Sequence, residues 1–173
     1  AVKTLLRDSQ LAHDIPSVAL IKESEAVRLL GPLAFWLRTH GVSLATKEEV
    51  EQILEETLSQ EHGEGNWERD DVEELMVWVC QHSGFFTERT PGHYGFVHPT
   101  FEEYFAAREL VAKPNLAPER IRVHLHRPRW DEPVLLAIAF IGTDYPVFAS
   151  ELVEQAVLAW GETGALSPSP NED

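Results

Sequence analysis

The chain has 173 residues, enough for one medium domain or two small ones with a real core. Its 29 acidic and 14 basic side chains leave a net charge of −15, which argues against a surface that neutralises nucleic-acid phosphates or docks on anionic lipid. One cysteine, Cys80, excludes an internal disulfide framework, no signal peptide is visible, and the longest apolar run, residues 133–142, is far too short for a bilayer, so a soluble, cytoplasmic protein is expected.

Residues 1–13 place Val2, Leu5, Leu6 and Leu11 on one helical face, and Ile15-Pro16 ends that helix. The chain opens inside this pattern without a cap, which predicts that it belongs to a longer protein. The next helix is predicted over 24–40, with Ser24 as N-cap and Gly41 just past the end. Its two adjacent stripes, Val27/Leu30/Ala34/Leu37 and Leu29/Leu33/Trp36, suit a central helix, and Gly31-Pro32 predicts a kink or close packing within it.

TKEE at 46–49 reads as a capping box that opens a helix running to about Gln60. A polar loop follows over 61–70. Asp70 is expected to cap a further helix, whose core stripe is Val72, Leu75, Met76 and Val79 and which Gly84 stops.

The period then changes. FFTER and YGFVH flank TPG, and aromatic residues around a Pro-Gly turn predict a β-hairpin. TFEE at 100–103 reads as a second capping box, with Thr100 as cap and Glu103 at the third helical position. The helix it opens turns Phe101, Tyr104, Phe105 and Leu110 toward a core and ends before Pro114.

Further helices occupy the remainder, and the Pro/Ser-rich acidic tail is expected to be disordered. Three helices followed by a hairpin predict a mainly α fold: a winged-helix domain with one β-hairpin, followed by a small helical domain. The expected divisions are 1–20 (the end of a preceding helical domain), 21–113 (winged helix), 114–162 (helical domain) and 163–173 (tail).

Motifs for autonomous catalysis are missing. No GxxxxGK[ST], GxGxxG or GxSxG occurs, and no carboxylate pair stands ready for acid–base work. His124 and His126 would diverge by ~200° on a helix, so no metal site is expected. Cys80 reads as a buried thiol. The helix before the hairpin, DVEELMVWVCQH, is acidic and then apolar, the wrong chemistry for reading a DNA groove.

One stretch, GFVHPTFEEYFAARELV at 95–111, carries more than fold information. Its pattern of an aromatic residue, x, His, x, Thr, Phe, x, Glu, Tyr, Phe, Ala, Ala resembles the winged-helix region of NACHT-type STAND ATPases, which include bacterial NACHT proteins and animal NOD-like receptors. AVKTLLR, EAVRLLGPLAFWLRTHG and SGFFTERTPGHYGFVH resemble, in order, the helix after the ATPase core, the first winged-helix helix and the wing. The resemblance runs from residue 1 to about 110, and HLHRPRWDEPVLLAIAFIG is similar to the helical segment that follows in those proteins.

The resemblance implies a non-catalytic regulatory part of a signalling and defence ATPase. In that family the core holds ADP in a closed state, and the winged helix folds over it with its histidine at the β-phosphate. Exchange for ATP opens the protein and lets it oligomerise. Only His98 matches that histidine. Phe96, Phe101, Glu103, Tyr104, Phe105, Ala106 and Ala107 match the motif's structural positions, and Pro99 stands where the family more often has an apolar residue such as Leu.

The implied partners are therefore the ATPase core of the same parent chain and, in the full-length protein, further copies of itself. No cofactor is expected for these residues alone; ADP or ATP belongs to the parent protein, and neither nucleic acid nor membrane is an expected partner. Two other readings stand beside this one: an acidic winged-helix adaptor for protein partners, and a DNA-binding regulator.

Overall fold

A computed structural model describes residues 23–62, 69–125, 127–142 and 146–154. The helix expected over 1–13, most of the polar loop, His126 and the acidic tail lie outside the described residues. The chain divides into two compact units, residues 1–106 and 107–173.

In the first unit, α1 (Glu23–His40) runs unbroken through Gly31-Pro32 and buries Ala26, Leu29, Leu30, Leu33, Ala34 and Leu37. Gly41 ends it at φ 71°, a left-handed conformation that glycine adopts without Cβ strain. The Val42 amide donates to the Leu37 carbonyl and the Gly41 amide to the Arg38 carbonyl, the paired bonds of a Schellman stop.

A two-residue strand, β1 (Ala45–Thr46), follows, and then α2 (Lys47–His62). The capping box at this start is reciprocal: Thr46 N donates to Glu49 Oε2 at 2.7 Å, and Glu49 N to Thr46 Oγ1 at 3.3 Å. α2 buries Val50, Ile53, Leu54 and Leu58; α3 (Arg69–His82) buries Val72, Leu75, Met76 and Val79. α3 begins at Arg69, so Asp70 lies inside its first turn, where a carboxylate favours the helix dipole.

The hairpin forms as β2 (Phe86–Thr90) and β3 (His93–Phe96), with Gly92 at φ 73° in the turn. The sheet has three antiparallel strands in the order β1-β3-β2. Strand β1 extends the expected hairpin, pairing Ala45 with Tyr94 and Thr46 with His93. Gly95 makes this pairing feasible: a Cβ there would stand 2.6 Å from the Ser43 carbonyl oxygen and 2.8 Å from Leu44. The order helix, strand, helix, helix, strand, strand is that of a winged helix.

Helix α4 (Pro99–Val111) contains the division between the units. The second unit continues with α5 (Ala117–His124), a 3₁₀ turn (Pro128–Trp130), α6 (Asp131–Gly142) and a helix described over 146–154. Its core includes Leu110, Ile121, Trp130, Val134, Ala137 and Leu152. Arg120 pairs with Glu109 at 3.0 Å, and the Arg108 guanidinium lies 5.2 Å from the Phe140 ring centroid. No helix among the described residues is long and apolar enough to cross a membrane.

His124 ends α5 as a buried residue. Its ring lies 4.0 Å from that of Trp130, and Nδ1 is 2.6 Å from the Arg120 carbonyl. Burial pushes its pKa below 6.5, only partly offset by the bond to that carbonyl, and Arg127 and Arg120 lower it further. The unfolded chain therefore binds this proton more readily than the folded one. The stability contributed by a neutral His124 is present above about pH 6.5 and is lost as the pH falls from there through the lowered folded-state value. Thermal unfolding of the second unit should shift to lower temperature on acidification through this window, and His124→Gln should flatten the shift. An identical pH profile in that variant would assign the acid sensitivity to other groups.

Candidate functional site

His98 stands where the wing returns to α4. The helix starts at Pro99, two residues earlier than a Thr100 cap would place it. His98 is itself the cap: its carbonyl accepts from Phe101 N at 3.1 Å, and its Nδ1 accepts from Thr100 N at 3.2 Å. Pro99 thus occupies the first helical position, where the lack of an N–H costs nothing and its fixed φ suits the helix. Pro99 is therefore compatible with the cap at His98.

The capping bond determines the chemistry of the ring. Nδ1 must keep its lone pair to accept from Thr100, so the neutral imidazole carries its proton on Nε2. His98 is exposed, and among the described residues Nε2 has no hydrogen-bond partner. The result is an N–H donor of defined tautomer at a helix N-terminus, where the dipole favours an anion.

The other histidines with described side chains differ. His40, His82 and His124 each place Nδ1 on the carbonyl four residues back, and His93 places it on the Pro91 carbonyl. A carbonyl requires an N–H, so in these four the neutral ring has its proton on Nδ1 and an acceptor at Nε2. His40 and His82 also stack on Trp36 and Trp78, at 4.0 and 5.5 Å between centroids. They complete helix C-termini, where a partial positive charge is favourable.

Aromatic packing holds the site from below. Phe101 lies edge-on to His98 at 6.5 Å and packs on Phe85 at 4.8 Å. Phe105 contacts Phe85 and Phe96, at 5.5 and 5.8 Å. The motif's aromatic positions thus join the wing to α4.

Two arginines that stand out in no sequence pattern flank the site. Arg89 Nη1 donates to the Phe96 carbonyl at 2.8 Å, two residues before His98. Arg38 lies in the last turn of α1, with Nε 3.1 Å from Glu102 Oε1 and Nη2 3.1 Å from Glu103 Oε1. Glu103 is thus committed to Arg38 across 65 positions of sequence, where a local capping box is the sequence expectation. Arg38 offsets one of two carboxylates that would otherwise repel an anion from the start of α4.

Elsewhere the chemistry is structural. Cys80 is half-buried, and burial, with Glu88 nearby, pushes its thiol up to about 11, far from a reactive thiolate. No cluster of three or more His, Cys, Asp or Glu side chains suited to a metal occurs among the described residues. Lys47 bridges α2 to α3 through Glu73, and Glu73 raises its pKa above 10.5. The exposed positions of α3 include Asp70, Glu73, Glu74 and Val77.

The element order and the three-stranded sheet define the class: a winged-helix domain. The family model for the winged helix-turn-helix domain C-terminal to NACHT matches residues 4–110, and the chain belongs to that family. The matched segment thereby contains the winged helix of a NACHT-associated regulatory module. No curated protein and no solved structure matches the chain.

Proposed function

We propose that this chain is the autoregulatory part of a NACHT-type STAND ATPase, helping to hold the ADP-bound closed state of its parent protein and releasing when ATP replaces ADP. The observation that carries this reading is the state of His98. Among the described histidines it alone has Nδ1 as a hydrogen-bond acceptor, which leaves Nε2 as the N–H, and it does so from the exposed junction of wing and helix.

This donor suits a phosphate oxygen without protonation of the ring. Protonation would place a hydrogen on Nδ1 and oppose the bond from Thr100 N. A single such contact contributes about 1–3 kcal/mol, enough to bias a closed–open equilibrium by roughly 5- to 150-fold. The base, the ribose and the remaining phosphate contacts belong to the ATPase core, which is the natural partner in the same parent chain. The acidic exposed positions of α3 favour this protein-packing role over DNA, whose phosphates they would repel.

The test uses the full-length protein loaded with ADP. His98→Ala is expected to speed ADP release by roughly 5- to 150-fold and to raise spontaneous oligomerisation, measured by nucleotide exchange and light scattering. His98→Asn keeps a good cap acceptor while removing the far ring nitrogen, so it should match His98→Ala in ADP release while retaining thermal stability. Equal ADP off-rates for His98→Ala and wild type would sink the proposal.

A further inference from the structure

We infer that Arg38 is a positioning residue for His98. The inference deepens the nucleotide-sensing reading and rests on it for its consequence, but its structural basis is independent. The guanidinium joins the last turn of α1 to the start of α4: Nη2 donates to Glu103 Oε1 at 3.1 Å, and Nε makes an ion-pair contact with Glu102 Oε1 at 3.1 Å that lacks hydrogen-bond geometry. Its side chain is 9% exposed and that of Glu102 8%, so the pair is held where water competes weakly.

The turn so clamped contains the Thr100 and Phe101 amides. Those amides bond Nδ1 and the carbonyl of His98, and they determine both the orientation of the ring and its tautomer. On the other side, Arg89 ties down the Phe96 carbonyl. His98 is therefore held from α4 and from the wing, while its Nε2 has no described partner. Reaching both carboxylates draws on the span of the guanidinium; a lysine ammonium supplies the charge but only a point contact.

Arg38 thus acts through His98, and its effect on nucleotide retention should vanish when His98 is gone. In the ADP-loaded full-length protein, Arg38→Lys and Glu103→Gln are each expected to speed ADP release by about 2- to 30-fold. In a His98→Ala background neither should add anything, because the positioned group is missing. Imidazole ¹⁵N spectra of the nucleotide-free protein give the second readout. His98 should appear as the Nε2–H tautomer in wild type and as a mixture in both variants.

Additive effects in the double variants would overturn the inference and leave Arg38 a general stabiliser, as would an unchanged His98 tautomer. If the tautomer mixes but His98→Ala leaves ADP release unchanged, the positioning role stands and the nucleotide reading fails. Arg38→Lys preserves the charge and Glu103→Gln the volume, so at least one variant is expected to fold.

Discussion

Phe105→Ala is expected to lower the stability of the winged helix by about 3–5 kcal/mol, the usual cost of emptying a buried aromatic site. Phe105 is 3% exposed and is the shared neighbour of Phe85, at the start of the wing, and Phe96, at its end. Phe96 in turn meets Phe86 edge-on at 5.2 Å. Removing the Phe105 ring leaves a cavity among the Phe85, Phe96 and Tyr104 rings, and filling it would pull on both ends of the wing.

The loss should appear as a lower denaturation midpoint at unchanged slope. It should also appear as lost amide protection at Val97, whose N–H bonds the Phe85 carbonyl at 2.9 Å. Phe105→Leu, which keeps most of the apolar volume, should recover the larger part. A loss below about 1 kcal/mol for the alanine variant would mean that the wing is held by its own strand pairing rather than by α4. Because His98 lies between Phe96 and α4, the variant should also weaken its capping bond to Thr100.

The second large effect belongs to the other unit. Trp130→Ala is expected to cost about 3–5 kcal/mol. The ring is 2% exposed, one of the largest fully buried side chains described, and it covers His124 at 4.0 Å. Its loss has a second consequence, in the opposite sense for acid sensitivity. Opening His124 to water removes the main cause of its lowered pKa, which should move back toward 6.5. Stability at about pH 7.5 should therefore fall, while the further loss on going to about pH 5 should shrink. Unfolding both proteins at the two pH values checks this. An undiminished acid penalty in Trp130→Ala would show that Trp130 does not shield the ring.

Much of the winged helix was legible because its signals are local. The Thr46/Glu49 box spans three residues and forms reciprocally. Gly41 and Gly92 take the left-handed conformations that their turns require. The apolar stripes of α2 and α3 are buried as their helical periods indicate, as are those of α1 apart from the half-buried Val27 and Trp36. The second capping box was misread for an instructive reason: Thr100 and Glu103 have the right types at the right spacing, but Pro99 is a better first helical residue than a residue outside the helix. The helix therefore starts earlier, His98 becomes the cap, and Glu103 is released to meet Arg38.

The amino-acid sequence by itself determined the helices, the hairpin, the family motif and the singular position of His98, since each depends on neighbours within a few residues or on a recurring pattern. Which ring nitrogen of His98 is a donor follows from a bond only two residues away, once the helix is known to start at Pro99. Only the tertiary structure decided that β1 joins the sheet and that Arg38 clamps α4. These depend on which distant segments meet. A two-residue strand is too short to show a period, and an arginine at the end of α1 has many carboxylates to choose from in a chain with 29 of them. The choice is made where the fold brings the end of α1 to the start of α4, with the Arg38 and Glu102 side chains only 9% and 8% exposed.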